Sequence, residues 1–215
     1  MPSIEANNIY LPDIAVIEKV IDETSDTRTF QFNLKDKAKR ESFRFKSGQF
    51  GEYSAFGAGE ATFCISSSPT RPDHLEFTVK NVGLVTAALH RLSVGDEIGF
   101  RGPYGNSFPL EELKGKNLVF VGGGIGLAPL RSLIWNVLDN RDQYGTVTIV
   151  YGARSPQDLC YEQDLEEWTK NNSINLTVTI DREFQGWDGC VGFVPKALGE
   201  VAPSPSNAVA IVCGP

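Results

Sequence analysis

The chain has few of the residues that build metal centres. Its 215 residues include four cysteines, and Cys64, Cys160, Cys190 and Cys213 stand far apart with no Cys-x-x-Cys pair. That spacing disfavours a zinc or iron–sulfur site among these residues, so no metal is expected, and scattered thiols fit a reducing cytoplasm. With only His74 and His90, a histidine-rich metal site is excluded, and neither stands in a recognisable nucleophile–base arrangement. Positive charge is also scarce. Lys and Arg total 20 against 27 Asp and Glu, a net charge of −7, and non-specific nucleic-acid binding needs the opposite balance. No apolar run approaches the length of a membrane span, and the N-terminus lacks the charged-then-apolar pattern of a signal peptide.

Glycine, by contrast, is concentrated where it matters. In Gly115 to Arg131, GKNLVFVGGGIGLAPLR, the run Leu118-Val119-Phe120-Val121 has no polar alternation, as suits a strand buried on both faces of a parallel sheet. It enters Gly122-Gly123-Gly124-Ile125-Gly126, a tight turn that lets backbone approach a ligand closely. Pro129 then falls in the first turn of a helix, and Leu130, Leu133, Ile134, Val137 and Leu138 recur at helical spacing. Strand, glycine turn and helix together aim backbone N–H groups at a phosphate. The pattern departs from the strict GxGxxG because Pro129 stands at the third glycine position, and alone it reads equally as a turn with no ligand.

Along the chain, residues 1–12 read as a loosely held lead-in. Strands are expected at Ile14 to Ile21, Arg28 to Leu34, Phe50 to Phe56, Phe63 to Ser66, Leu75 to Val79 and Glu97 to Phe100, with Lys35 to Arg44 a charged surface loop. One small helix, Val85 to Leu92, interrupts them, and the set suggests a closed antiparallel barrel. After about Leu110 the rhythm changes. Strands at Leu118, Val147 to Tyr151, Asn175 to Ile180 and Ala208 to Val212 alternate with helices, including Leu159–Thr169, and imply a mainly parallel sheet. The expected architecture is therefore an antiparallel β-barrel over residues 1–110, followed by an α/β parallel-sheet domain over 111–215.

A barrel followed by a nucleotide-binding α/β domain resembles the ferredoxin–NADP reductase superfamily, and the likeness covers nearly the whole chain. It is carried by Tyr10-Leu11-Pro12, Thr27 to Phe30, Gly48-Gln49-Phe50, Phe63 to Pro69, Arg101 to Gly105, Gly122 to Pro129, Tyr151 to Arg154 and Cys213-Gly214-Pro215. Within the superfamily the chain looks most similar to FAD- and NAD(P)-binding electron-transfer subunits. These include the gamma subunits of hydrogenase and sulfhydrogenase, the corresponding subunit of anaerobic sulfite reductase and, more distantly, the dihydroorotate dehydrogenase electron-transfer subunit. The resemblance implies an FAD flavoprotein that oxidises NADH, or less readily NADPH, and passes electrons to a partner subunit or iron–sulfur protein.

For the flavin, the family's RxYS segment places its Tyr against the isoalloxazine and its Ser near the reactive N5. Phe63 and Cys64 stand in those places, followed by Ile65 and Ser66, and Ala61 replaces the Arg. Phe63 can still stack, since stacking needs ring area rather than a hydroxyl. With that Arg absent, the FAD pyrophosphate is expected at Val79-Lys80 and Gly83-Leu84-Val85-Thr86, where a helix N-terminus and the Thr86 hydroxyl supply donors. Lys80 reads equally as a solvated charge.

For the nicotinamide nucleotide, the resemblance implies pyrophosphate on Gly123, Gly124, Ile125, Gly126, Leu127, Ala128 and Pro129, with Tyr151, Gly152, Ala153 and Arg154 at the carboxyl edge of the sheet. Asp181-Arg182 ends the next strand; an Asp there repels a 2′-phosphate and so favours NADH, although Arg154 and Arg182 could reach a phosphate. Cys213, with Gly214 and Pro215, is implied beside nicotinamide C4, which makes Cys64 and Cys213 the candidate catalytic pair. Longer relatives carry a [2Fe–2S] cysteine cluster beyond Cys-Gly-Pro, which these residues cannot build. Either the sequence is a truncated form or its flavin delivers electrons directly. Two rival readings remain: a self-contained flavin, ferredoxin or oxygenase reductase, and a non-catalytic nucleotide-binding regulatory subunit.

Overall fold

In the computed structural model, which describes residues 8–215, the polypeptide forms two sheets in succession. The lead-in expected over residues 1–12 lies, up to position 7, outside the described residues. The first sheet comprises β1 (Asp13–Thr24), β2 (Thr27–Leu34), β3 (Phe50–Ala55), β4 (Gly59–Cys64), β5 (Leu75–Lys80) and β6 (Glu97–Tyr104), all antiparallel in the order β4-β3-β6-β1-β2-β5. It rolls until its edges approach, and just past β4 the Ser66 N–H donates to the Glu76 carbonyl at 2.8 Å. Period-two patterning drives the roll: in β3, Gly51, Tyr53 and Ala55 are buried while their neighbours are half-buried. Inside, Tyr53 stacks on Phe77 with centroids 4.0 Å apart, and Phe30, Phe32 and Phe100 complete the aromatic core. Each such ring contributes roughly 2–3 kcal/mol by leaving water.

The second sheet is parallel, in the order β10-β9-β8-β7-β11, from β7 (Asn117–Gly123), β8 (Val147–Ala153), β9 (Asn175–Ile180), β10 (Cys190–Val191) and β11 (Ala208–Cys213). Every residue of β8 is buried, as a strand covered on both faces requires. The chain runs outward from β7 to β10 and returns to β11 on β7's other side. That reversal between β7 and β11 is the place in an open parallel sheet where ligands bind.

Helices α1 (Lys37–Ser42) and α2 (Leu84–Leu89) belong to the barrel, α3 (Leu110–Leu113) precedes the second sheet, and α4 (Leu127–Asp139), α5 (Glu162–Lys170) and α6 (Val194–Val201) cover it. Several expectations need correction. Lys35 to Arg44 is not wholly a loop: the Asp36 side chain caps α1 by accepting from the Lys39 N–H at 3.0 Å, although none of its residues is buried. The barrel therefore holds two short helices rather than one. The β4 ladder ends at Cys64 instead of including Ile65 and Ser66. The helix expected from Leu159 starts at Glu162, because Tyr161 takes a left-handed conformation at φ 60°. Strand β10 and helices α3 and α6 were not anticipated.

Helix α4 is buried nearly all round, since it is wedged between its own sheet and the barrel. Leu130, Leu133, Ile134 and Val137 join the core of the second sheet. Toward the barrel, the Ser47 hydroxyl donates to the Ser132 carbonyl at 3.0 Å, and Asp139 at the helix end pairs with Arg71 at 2.8 Å.

Candidate functional site

The glycine turn after β7 is shaped by what it must touch. A single 3₁₀ turn, Gly124–Gly126, links β7 to α4. Gly124 sits at φ +51° with open space where a Cβ would stand, so its backbone faces outward unhindered. At Gly126 a Cβ would stand 2.5 Å from the Cys213 carbonyl oxygen, which only glycine permits. The end of β11 therefore lies directly on the turn, with Gly214 packed against the Gly123 backbone. Pro129 is the third residue of α4, where a missing N–H costs no helical bond.

A cleft of about 920 Å³ opens over this turn, within the range usual for small-molecule sites. Gly123–Gly126, Gly152, Ala153, Arg154, Asp181 and Cys213–Pro215 line it from the parallel sheet, and Lys80 joins them from the barrel. Thr24, Asp26, Asp158, Cys160 and Phe193 also line it, and sequence reading missed them. Lys80 Nζ lies 3.1 Å from Asp26. Burial pushes the Asp26 carboxyl up, but hydrogen bonds from Lys80, Thr27 and Thr24 outweigh it and hold the carboxyl below its ordinary range. Asp158 takes Arg154 at 2.5 Å and the Ser155 hydroxyl at 2.7 Å, which again outweighs desolvation and lowers its pKa. The cleft's positive groups thus come with carboxylate partners. Asp26 and Asp158 lie in a hairpin and a short turn that carry no motif, so only the fold brings them here.

On the barrel side, Phe63 stands opposite Gly51 on the core-facing side of β4, 5.8 Å from the Tyr53 ring and 5.9 Å from Phe77, yet it stays half-buried. Cys64 faces the other way. Burial raises its thiol pKa, and Cys213 acts in the same direction. Two buried hydroxyls beside this segment, Tyr53 Oη and Ser66 Oγ, have no hydrogen-bond partner among the described residues. Val82 and Leu84 are about three-quarters exposed beside Gly83, whose Cβ position is open. An aromatic face, unpartnered hydroxyls and an uncovered apolar rim fit a flat ring system with polar edges, as a flavin is; the glycine turn and cleft fit a dinucleotide.

Other candidates sit elsewhere. Tyr151 is fully buried and its hydroxyl accepts from the Cys160 N–H at 3.1 Å, so its side chain is core. Ile65, Val79, Leu127 and Ala128 likewise bury their side chains and can offer a ligand only backbone. The Thr86 hydroxyl, expected to reach a phosphate, is spent on α2: it accepts from the Val82 and Gly83 N–H groups and donates to the Gly83 carbonyl. Val85 is half-buried against the barrel core, and Arg182 is exposed beyond the cleft lining.

Comparison with known proteins agrees with this geometry. An oxidoreductase FAD-binding domain matches residues 14–108 and an oxidoreductase NAD-binding domain residues 120–215. The chain is 34% identical over 212 residues to sulfhydrogenase 1 subunit gamma of Pyrococcus furiosus, covering 97% of this chain and 72% of that one. It is 33% identical over 204 residues to a probable dihydroorotate dehydrogenase B (NAD(+)) electron transfer subunit of Methanocaldococcus jannaschii, covering 95% and 69%. The crystal structure of Amycolatopsis cytochrome P450 reductase GcoB superposes with a TM-score of 0.80 at 25% identity, over 99% of this chain and 65% of that one.

Proposed function

The chain belongs to the ferredoxin–NADP reductase-like oxidoreductases, which join an FAD-binding to an NAD-binding domain, and we propose that it is their NADH-oxidising electron-transfer subunit within a larger redox complex. It is an NAD(P)H-dependent flavoprotein. The observation that carries the finer reading is one cleft walled by both sheets, with Thr24, Asp26, Thr27 and Lys80 from the barrel and the glycine turn and Cys213 from the second sheet.

On this reading residues 1–110 hold FAD and residues 111–215 the nicotinamide nucleotide. FAD, when bound, accepts a hydride at N5 and releases electrons singly to a partner. The protein's task is position and exclusion of water. Phe63 offers the half-buried ring face, and Ser66 and Tyr53 offer unpartnered hydroxyls at its border. The glycine turn Gly123–Gly126, open at Gly124, takes the pyrophosphate at the head of α4, where N–H groups converge. Asp181 accepts from a ribose hydroxyl and opposes a 2′-phosphate, and Asp158 occupies the Arg154 guanidinium that would otherwise attract one. Cys64 and Cys213 flank the two reacting positions, and no general acid or base is needed.

Relatives carry the words "subunit gamma", "electron transfer subunit" and "reductase component" in their names, which supports a partner chain as the electron acceptor. A hydrogenase, sulfite reductase or other iron–sulfur subunit is the class we assign. Placement in a reducing cytoplasm belongs to the same proposal and rests on the scattered cysteines. Among the described residues no helix is long and apolar enough to cross a membrane.

Reconstitution tests the flavin half of the reading. The purified chain should bind one FAD and turn yellow, and Phe63→Ala should weaken retention about tenfold or more. A chain that stays colourless in excess FAD would overturn it.

A further inference from the structure

One side chain braces the junction from behind the cleft. Arg131 leaves the second turn of α4, and its side chain is only 13% exposed. Its guanidinium donates to the Ser66 carbonyl at 3.1 Å, to the Glu76 carboxylate of β5, and to Asp164 of α5, at 3.4 Å through Nη2 and more closely through Nε. Trp135 Nε1 holds the same Asp164 at 3.0 Å, and the Tyr161 ring lies 4.9 Å from the guanidinium. Ser66 donates its own N–H to the Glu76 carbonyl, so Arg131 grips both members of that pairing.

Ser66 lies two residues past Cys64, in a segment that has already left the β4 ladder. Helix α4, at the other end of the brace, begins at the glycine turn on which Cys213 rests. A planar fork with acceptor groups on three separate segments fixes direction as well as charge, which a lysine or an apolar side chain does not. Stability alone explains it weakly, because a buried ion cluster is often no better than apolar residues of equal volume. We infer that Arg131 is a positioning residue: by pinning Ser66 to α4, it sets the separation between the Cys64 face and the Cys213 face. This rests on the reading of those faces as the two sides of the hydride-transfer site.

The test compares Arg131→Met and Arg131→Lys with the parent, each loaded with FAD. Hydrogen exchange at the amides of residues 65–67 should speed up about tenfold in R131M while the β1–β2 amides stay unchanged. The limiting rate of reduction by NADH, counted per bound flavin, should fall roughly 10- to 100-fold, as a displacement of about 1 Å produces, with NADH half-saturation within about threefold. R131K should recover part of both, and it reads the same amides should R131M fail to fold. Local exchange and rate per bound flavin within twofold of the parent in both variants would overturn the inference, whatever happened to thermal stability. A parent chain that takes no FAD would sink the functional reading and this one with it, a result visible before any variant is made.

Discussion

At the scale of single residues, two aspartates and a tyrosine carry the sharpest expectations. Asp181 lines the cleft at the end of β9, and Arg154, the nearest guanidinium on the lining, is held by Asp158. Replacing Asp181 by Ser should lower the ratio of kcat/KM for NADH over NADPH by about tenfold or more, roughly 1.4 kcal/mol of discrimination. An unchanged ratio in steady-state assays would place the ribose contact elsewhere. Tyr151 was legible as the end of a strand at the ligand edge, but an apolar run does not reveal which way its last ring turns. Because its hydroxyl serves the buried Cys160 N–H, Tyr151→Phe should cost about 1–3 kcal/mol in denaturant unfolding and leave the NADH half-saturation within about twofold. Asp26 and Asp158 were illegible for a different reason: neither has a partner of fixed sequence spacing in a motif, and their roles arise only when loops from both domains meet.

At the scale of elements, the strand–turn–helix around Gly122 to Pro129 was readable because three independent signals agree there. An unbroken apolar run, clustered glycines and a proline in a first helical turn specify one local geometry. What remained hidden was which glycine is obligatory. Gly126 faces the Cys213 carbonyl, whereas Gly124 faces open space at positive φ. Gly126→Ala should therefore displace β11 from the turn, weakening NADH binding at least tenfold by calorimetry. Gly124→Ala should cost only about 1 kcal/mol of stability, the penalty for a left-handed alanine. Equal losses in the two variants would contradict this assignment. The short elements escaped reading because they lack a period to detect: β10 has two residues, and α1 buries none of its six.

At the scale of the whole molecule, the junction between the domains is polar and charged, and that gives it a pH dependence. Burial alone pushes the Glu76 carboxyl up; hydrogen bonds from His74, Arg131 and Gln31 and the Arg131 charge outweigh it, bringing the pKa to about 2 from 4.5. A depressed folded-state pKa means the contribution is full above the unfolded value and is lost as pH falls from about 4.5 through about 2. Its size is on the order of 3 kcal/mol. Asp139, held low by Arg71 and Thr70 against its own desolvation, acts in the same direction. Glu23 acts oppositely: burial raises its carboxyl, so its contribution is present at low pH and is lost as pH rises. Trp135, whose ring lies 3.6 Å from the Arg71 guanidinium at this junction, reports the balance. Its fluorescence should shift to the red below about pH 4.5, and Glu76→Gln should flatten that transition; an identical acid transition in the variant would remove Glu76 from the account. The two-domain order was legible from the change of rhythm near Leu110, but the junction was not, since Arg131, Glu76 and Asp164 meet only in the fold. The central claim, that NADH reduces a flavin across this junction, is tested most directly by anaerobic titration of the FAD-loaded chain with NADH and, separately, NADPH. Stoichiometric bleaching of the flavin by NADH, with NADPH much weaker, is the predicted result. A flavin that stays oxidised in excess NADH would contradict it.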